Sequence, residues 1–228
     1  MIELQRVVFE RDGRRILDGI SLTVAKGESV ALVGPNGSGK TSLLRCMLGL
    51  VPCSGVVRID GLDVGRRPVE VLSRVGYLPQ RAAFGDAPAL EVLVLVAKLR
   101  GLDAGRAATV LAQVGLAEHA RQRVRLFSGG MLQRLSLAMV LLADPPVLLL
   151  DEPTASLDRE GQQAFLQLMT RFRSEARTMV ITSHRAEDTG RFASRVVELE
   201  RGRLAAGPET NRESPAPVTP MPPAEVAP

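Results

Sequence analysis

The chain has 228 residues, enough for one large domain with a full hydrophobic core. Hydrophobic residues make up 45% and charged residues 24%, the balance of a soluble globular protein, and no apolar run reaches the ~18–20 residues of a membrane-crossing helix. The net charge of +4 is uneven: from Ala205 onward three glutamates outweigh Arg212, so the rest is the more positive part and suits a polyphosphate, while 3% aromatic content and the lack of a dense Lys/Arg run exclude a base-stacking nucleic-acid surface.

Residues 2–9 and 20–24 alternate apolar and polar like strands of a half-exposed sheet, with a turn at Arg11–Arg15. The start, Met1-Ile2-Glu3-Leu4-Gln5-Arg6, lacks the apolar segment of a secretory signal, so the expectation is a cytosolic protein. Ser29–Val33 reads as a buried strand and Lys40–Leu50 as a helix. Between them, Gly34-Pro35-Asn36-Gly37-Ser38-Gly39-Lys40-Thr41 fits G-x-x-x-x-G-K-[ST]. A loop placed there aims unpaired N–H donors and a positive helix end at one point, and its glycines let the backbone wrap phosphates without a Cβ in the way. Lys40 would reach the β- and γ-phosphates of a nucleotide, and the Thr41 hydroxyl would hold Mg²⁺. Cys46 and Cys53 form no CxxC or Cys/His cluster and read as free thiols.

Further along, Val56–Asp60 is a strand candidate with turn residues Gly61 and Asp63 behind it, and Val75–Leu78 is another that stops at Pro79-Gln80. From Pro88 to about Leu126 the spacing turns helical, with Leu90, Leu93, Val94 and Ala97 on one face of a first helix and Val110, Leu111, Val114 and Leu116 marking a second helix. Leu132–Ala143 is a further helix, closed by Pro145-Pro146. Val147–Leu150 is an unbroken apolar run, as in strands buried on both faces, and Asp151-Glu152-Pro153 sits at its tip. Two acids there are costly unless cations or donors meet them. A nucleotide's Mg²⁺ meets that need at Asp151, and Glu152 is then placed to deprotonate an attacking water. A striped helix around Phe165–Phe172 and a strand at Thr178–Thr182 follow, and strands alternating with helices imply a parallel α/β sheet.

Phe127-Ser128-Gly129-Gly130-Met131 opens a long helix with a second anion site, because the Ser128 hydroxyl and two glycine N–H groups converge at its positive end. Two half-sites for phosphate on one chain suggest two chains closing face to face. From about Ile2 to Leu204 the sequence resembles the ATPase subunit of an ATP-binding cassette (ABC) transporter, of the single-cassette, exporter-like kind. The resemblance implies that Gly34, Pro35, Asn36, Gly37, Ser38, Gly39, Lys40 and Thr41, with adjoining Ser42, contact ATP, and that Val147–Glu152 is the acidic strand with its catalytic carboxylate. It makes Gln80 the residue sensing Mg²⁺ and the attacking water, Ser128, Gly129 and Gly130 the signature, Ser156-Leu157-Asp158 the segment communicating across the dimer, and His184 the contact to the γ-phosphate. Thr41, Gln80 and Asp151 would then be the Mg²⁺ set.

This sequence departs from the family where an aromatic usually stacks on adenine; that place falls near Arg11, whose planar guanidinium also stacks on a base. Phe127 and Met131 replace the usual Leu and Gln of the signature.

The expected fold is α/β: a phosphate-loop NTPase core with a mixed or parallel sheet, an N-terminal antiparallel β subdomain and an α-helical subdomain inserted at about 83–143. The nucleotide-binding domain would span 1–207, followed by a disordered Pro/Ala-rich tail at 208–228. The expected partners are separate membrane-spanning permease subunits and a second cassette, at the cytoplasmic face, with Ala82, Ala83, Phe84 and Ala89 offering the permease an apolar groove. The rival, a soluble cassette ATPase of translation or DNA repair, would carry a second cassette or a long coiled-coil insertion; this chain has neither.

Overall fold

A computed structural model describes residues 1–82, 84–155, 157–184, 189 and 192–205. Ala83, Ser156 and the segment 208–228 read as a tail lie outside the described residues.

Strands β1 (Ile2–Arg11) and β2 (Arg14–Val24) form an antiparallel hairpin. Its turn is the pair Asp12-Gly13, both at positive φ (52° and 71°), whose twist matches that of the flanking strands. Strands β4 (Ser54–Ile59) and β5 (Leu62–Asp63) add to it in the order β2-β1-β4-β5, so Asp63 pairs in a strand instead of only turning the chain.

The second sheet has six strands among the described residues. Parallel strands β3 (Ser29–Val33), β6 (Val75–Leu78), β7 (Val147–Leu150), β8 (Thr178–Ser183) and β9 (Arg195–Glu200) take the order β9-β3-β8-β7-β6, and β10 (Arg203–Leu204) closes the β9 edge antiparallel. With the antiparallel layer, this is the α/β cassette architecture expected from the sequence.

Because side chains alternate across a strand, this sheet separates two cores. Val30, Leu32, Val147, Leu149 and Val180 face the antiparallel layer, where Leu43, Leu44 and Met47 of helix α1 (Lys40–Met47) also pack. Ala31, Val33, Leu148, Leu150, Met179 and Ile181 face the other side. There they meet helices α3 (Ala89–Leu99), α4 (Arg106–Gln113), α5 (Gly129–Leu141) and α6 (Arg159–Ser174). Helix α2 (Pro68–Arg74), which the sequence pattern does not reveal, buries only Val71.

Several boundaries move for local reasons. Helix α1 stops at Met47: Gly49 takes φ +66° and the N–H groups of Gly49 and Leu50 donate to Cys46 O and Arg45 O, a Schellman ending. Helix α5 begins three residues earlier than the apolar stripe suggests, because Ser128 caps it by accepting from Met131 N at 3.2 Å. Ala89 is fully buried in the helical core, so it cannot line a surface groove; Ala82 and Phe84 remain partly exposed.

Strands β9 and β10 also escape the sequence reading. The Arg195 guanidinium reaches Glu28 at 2.6 Å and the Thr23 carbonyl at 2.5 Å, fixing the start of β9 beside β3. The β9–β10 turn then wedges between β2 and the phosphate loop: Gly202 N donates to Ser38 O (3.0 Å) and Gly202 O accepts from Asp18 N (2.8 Å). At Gly202 (φ +77°) an added Cβ would stand 2.3 Å from Ile16 O. Gly202→Ala should therefore lower unfolding stability by roughly 1–3 kcal/mol in urea denaturation. Its neighbour Arg201, already at φ +48°, should accept glycine with little loss.

Candidate nucleotide site

The site lies where β3, β7 and β8 end together. The phosphate loop leaves β3 at Gly34 (φ +155°), where a Cβ would stand 2.1 Å from Leu199 O of β9, so only glycine passes beneath that strand. Pro35, Asn36 and Gly37 are not fully buried, whereas Ser38, Gly39 and Lys40 are. Thr41 and Ser42, half-buried, continue into the first turn of α1. The Lys40 ammonium donates to Gly34 O (2.8 Å) and Pro35 O (3.2 Å), so the lysine braces its own loop from inside.

Asp151 follows β7 directly, and its N–H bonds Leu78 O of β6 at 2.8 Å. Its carboxylate is 1% exposed. Oδ1 accepts from Thr41 Oγ1 (3.1 Å) and from Thr182 Oγ1 (2.7 Å), which joins the ends of α1 and β8 to that of β7. Thr182 Oγ1 in turn accepts from the Glu152 N–H (2.8 Å), and Glu152 sits at φ +46°, a turn that a non-glycine residue holds only when its surroundings enforce it. Burial, then the charge of Asp151, raise the Tyr77 phenol above its ordinary range.

Glu152 is the meeting point. Its Oε2 accepts from Gln80 Nε2 (3.0 Å) and stands 3.7 Å from His184 Nδ1, while its Oε1 is 3.8 Å from the Lys40 ammonium. Gln80, Lys40 and His184 come from three separate segments, and the fold brings them within reach of the Glu152 carboxylate.

Five expected site residues, Ser128, Gly129, Gly130, Asp158 and Arg11, lie elsewhere. Ser128 caps α5, with Gly129 beside it exposed, and their hydrogen bonds stay within that helix. Asp158 caps α6 by accepting from Gly161 N at 2.8 Å. Arg11 ends β1, 70% exposed and 3.6 Å from Asp12. Sequence reasoning missed the role of Thr182, the second of two threonines in β8.

Two buried side-chain atoms of the site have no hydrogen-bond partner among the described residues: Ser38 Oγ and Asp151 Oδ2. A hydroxyl with a proton to donate and an anionic oxygen are the complement of a phosphate paired with a hard divalent cation.

A sequence profile described as ABC transporter matches residues 17–155. The chain belongs to the ABC transporter family. It is an ATP-binding, ATP-hydrolysing subunit that energises transport. Among its relatives, the linearmycin resistance ATP-binding protein LnrL of Bacillus subtilis (strain 168) is 32% identical over 90% of this chain and 68% of its own length. The zinc import ATP-binding protein ZnuC of Pseudomonas syringae pv. syringae (strain B728a) is 37% identical over 95% of this chain and 80% of its own. The solved structure of an ATP-binding subunit of an ABC transporter superposes with TM-score 0.83 at 25% identity, covering 92% of this chain and 90% of that one. A dimeric ATP-binding cassette in a post-hydrolysis state with ADP and Pi superposes with TM-score 0.80 at 27% identity, covering 90% and 96%.

For this cassette, Thr182→Val should be costly out of proportion to its size. It keeps the side-chain volume but takes a donor from Asp151 and the acceptor from the Glu152 N–H, at about 1–3 kcal/mol for each buried group left unpaired. Thermal unfolding without nucleotide should show the loss, and Thr182→Ser, which keeps the hydroxyl, should recover most of it.

Proposed function

We propose that ATP lies along the phosphate loop with Lys40 against its β- and γ-phosphates, and that Glu152 is the general base of hydrolysis. The observation that carries this reading is the convergence of Lys40, Gln80 and His184 on Glu152, one residue beyond the buried Asp151. Glu152 takes a proton from the water that attacks the γ-phosphorus, and the bond to the β–γ bridging oxygen breaks to leave ADP and phosphate. Gln80 orients that water and His184 donates to the γ-phosphate. Thr41 Oγ1 and Asp151, with Gln80, would hold Mg²⁺; the ion, when bound, offsets charge on the phosphate oxygens. The phosphate loop's N–H groups, with Ser42 beside them, bind the remaining phosphate oxygens, and Arg11 stacks on the adenine.

The chain works as a pair. Ser128, Gly129 and Gly130 present a helix N-terminus whose capping bond stays within its own helix, so each signature completes the site of the other copy, with Asp158 near the junction. The dimeric arrangement of the related ADP-and-Pi-bound cassette supports this. Separate permease subunits hold the pair at the cytoplasmic face, a reading supported by relatives named as ATP-binding proteins of transport systems. Relatives named for zinc import and for Nod factor export share 37% and 34% identity with this chain; the permease, and not the cassette, sets cargo and direction.

Glu152→Gln should slow steady-state ATP turnover at least ~10²-fold while leaving ATP binding nearly intact; near-normal turnover would refute the base assignment. The same variant should accumulate as an ATP-dependent dimer in light scattering, because ligand favours closure and opening follows hydrolysis. Gly130→Asp should abolish that dimer by setting a carboxylate against the partner's γ-phosphate. Lys40→Ala should weaken a fluorescent ATP analogue at least ~10-fold at equilibrium, since it removes the loop's one side-chain cation.

A further inference from the structure

The Schellman ending of α1 turns the chain back within a few residues, from Cys46 in the last turn of the helix to Cys53 just before β4. The two thiols shift each other's acidity in opposite directions. They line one cleft of about 440 Å³, shared with Gly49, Pro52, Asp63 and Pro68. Their exposures differ: Cys46 is 1% exposed, buried with Leu43, Leu44 and Met47, whereas Cys53 is partly open. They are the only cysteines of the chain.

We propose that Cys46 and Cys53 form an oxidisable dithiol site, in which a small peroxide entering the cleft is attacked by Cys53 and Cys46 resolves the product to an intramolecular disulfide. The chemistry of the two positions is unequal in the sense this needs. Cys46 lowers the Cys53 pKa, while Cys53, with burial, holds Cys46 protonated. The accessible sulfur is thus the better thiolate, and the thiolate is the form that attacks peroxide. In the first step Cys53 Sγ displaces hydroxide from the peroxide: the O–O bond breaks, the sulfur becomes a sulfenic acid, and the hydroxide leaves as water with the proton Cys53 gave up. In the second, Cys46 Sγ attacks that sulfur, the S–O bond breaks, and the departing hydroxide takes the Cys46 proton to leave as water. Two thiols and one peroxide give one disulfide and two waters, with two electrons passed to the peroxide. A thiol reductant reverses it by exchange at the exposed Cys53 sulfur. None of this depends on the ATPase chemistry, which lies at the opposite end of α1.

The test uses the purified full chain and hydrogen peroxide. Equimolar peroxide should convert the folded, monomeric protein to a form lacking two hydrogens, with both free thiols lost and recovered by dithiothreitol. The Cys46→Ser variant keeps a polar donor at that position but cannot resolve the sulfenic acid, so it should trap at least ~10-fold more dimedone at Cys53 than the wild type does. The proposal is overturned if both thiols survive peroxide in the folded chain, if the cross-link forms only in urea, if it joins two chains instead of one, or if dimedone labels the two proteins equally.

Discussion

The carboxylate of Asp151 is the constraint around which the rest is arranged. A charged group 1% exposed at a strand tip is expensive to keep unless it is well met. Here two threonine hydroxyls meet it, one from the phosphate-loop helix and one from β8. Satisfying that one oxygen therefore aligns three elements that are far apart in sequence. The second oxygen has no protein partner among the described residues and is the place we assign to the metal ion. The polar demand of one side chain thus both assembles the site and selects the chemistry that completes it.

The same group governs Glu152. Thr182 donates to Asp151 and accepts from the next backbone N–H, so a single hydroxyl satisfies the buried acid and holds the following residue in a left-handed turn. That turn takes Glu152 out of the strand direction and presents it to Lys40, Gln80 and His184. The backbone on the other side is braced differently, by contact with neighbouring strands. The passage of Gly34 under Leu199 and the bond from Gly202 to Ser38 make the edge hairpin β9–β10 part of the phosphate loop's support.

The central elements were legible in the sequence because burial on both faces leaves an apolar run with few polar interruptions, as in Val30–Val33 of β3 and Val147–Leu150 of β7. The phosphate loop and the acidic pair were legible because few chemistries require those residues in that order. Strands β9 and β10 were not: Arg195-Val196-Val197-Glu198-Leu199-Glu200 carries charges, and Glu28, the partner of Arg195, lies far away in sequence. Helix α2 was hidden for the opposite reason, since seven residues that bury only Val71 leave almost no periodic signal. Thr182 was overlooked because its role depends on register: the pairing of Leu32 with Thr182 sets it beside the end of β3, and no local pattern encodes that.

The division of the interior into two cores has a mechanical consequence. Among the described residues no buried side chain belongs to both, and only the sheet lies between them. Helices α3, α4 and α5 can therefore shift as a layer at the expense of contacts on one face, while the antiparallel strands and α1 keep their own packing. Opening free energies would then fall into two separate groups, with amide protons of the helical layer exchanging through smaller excursions than those behind the phosphate loop. Glu152 and Gln80 stand at the border of these two layers, so relative movement of the layers would change the distance between the Glu152 carboxylate and the Gln80 amide.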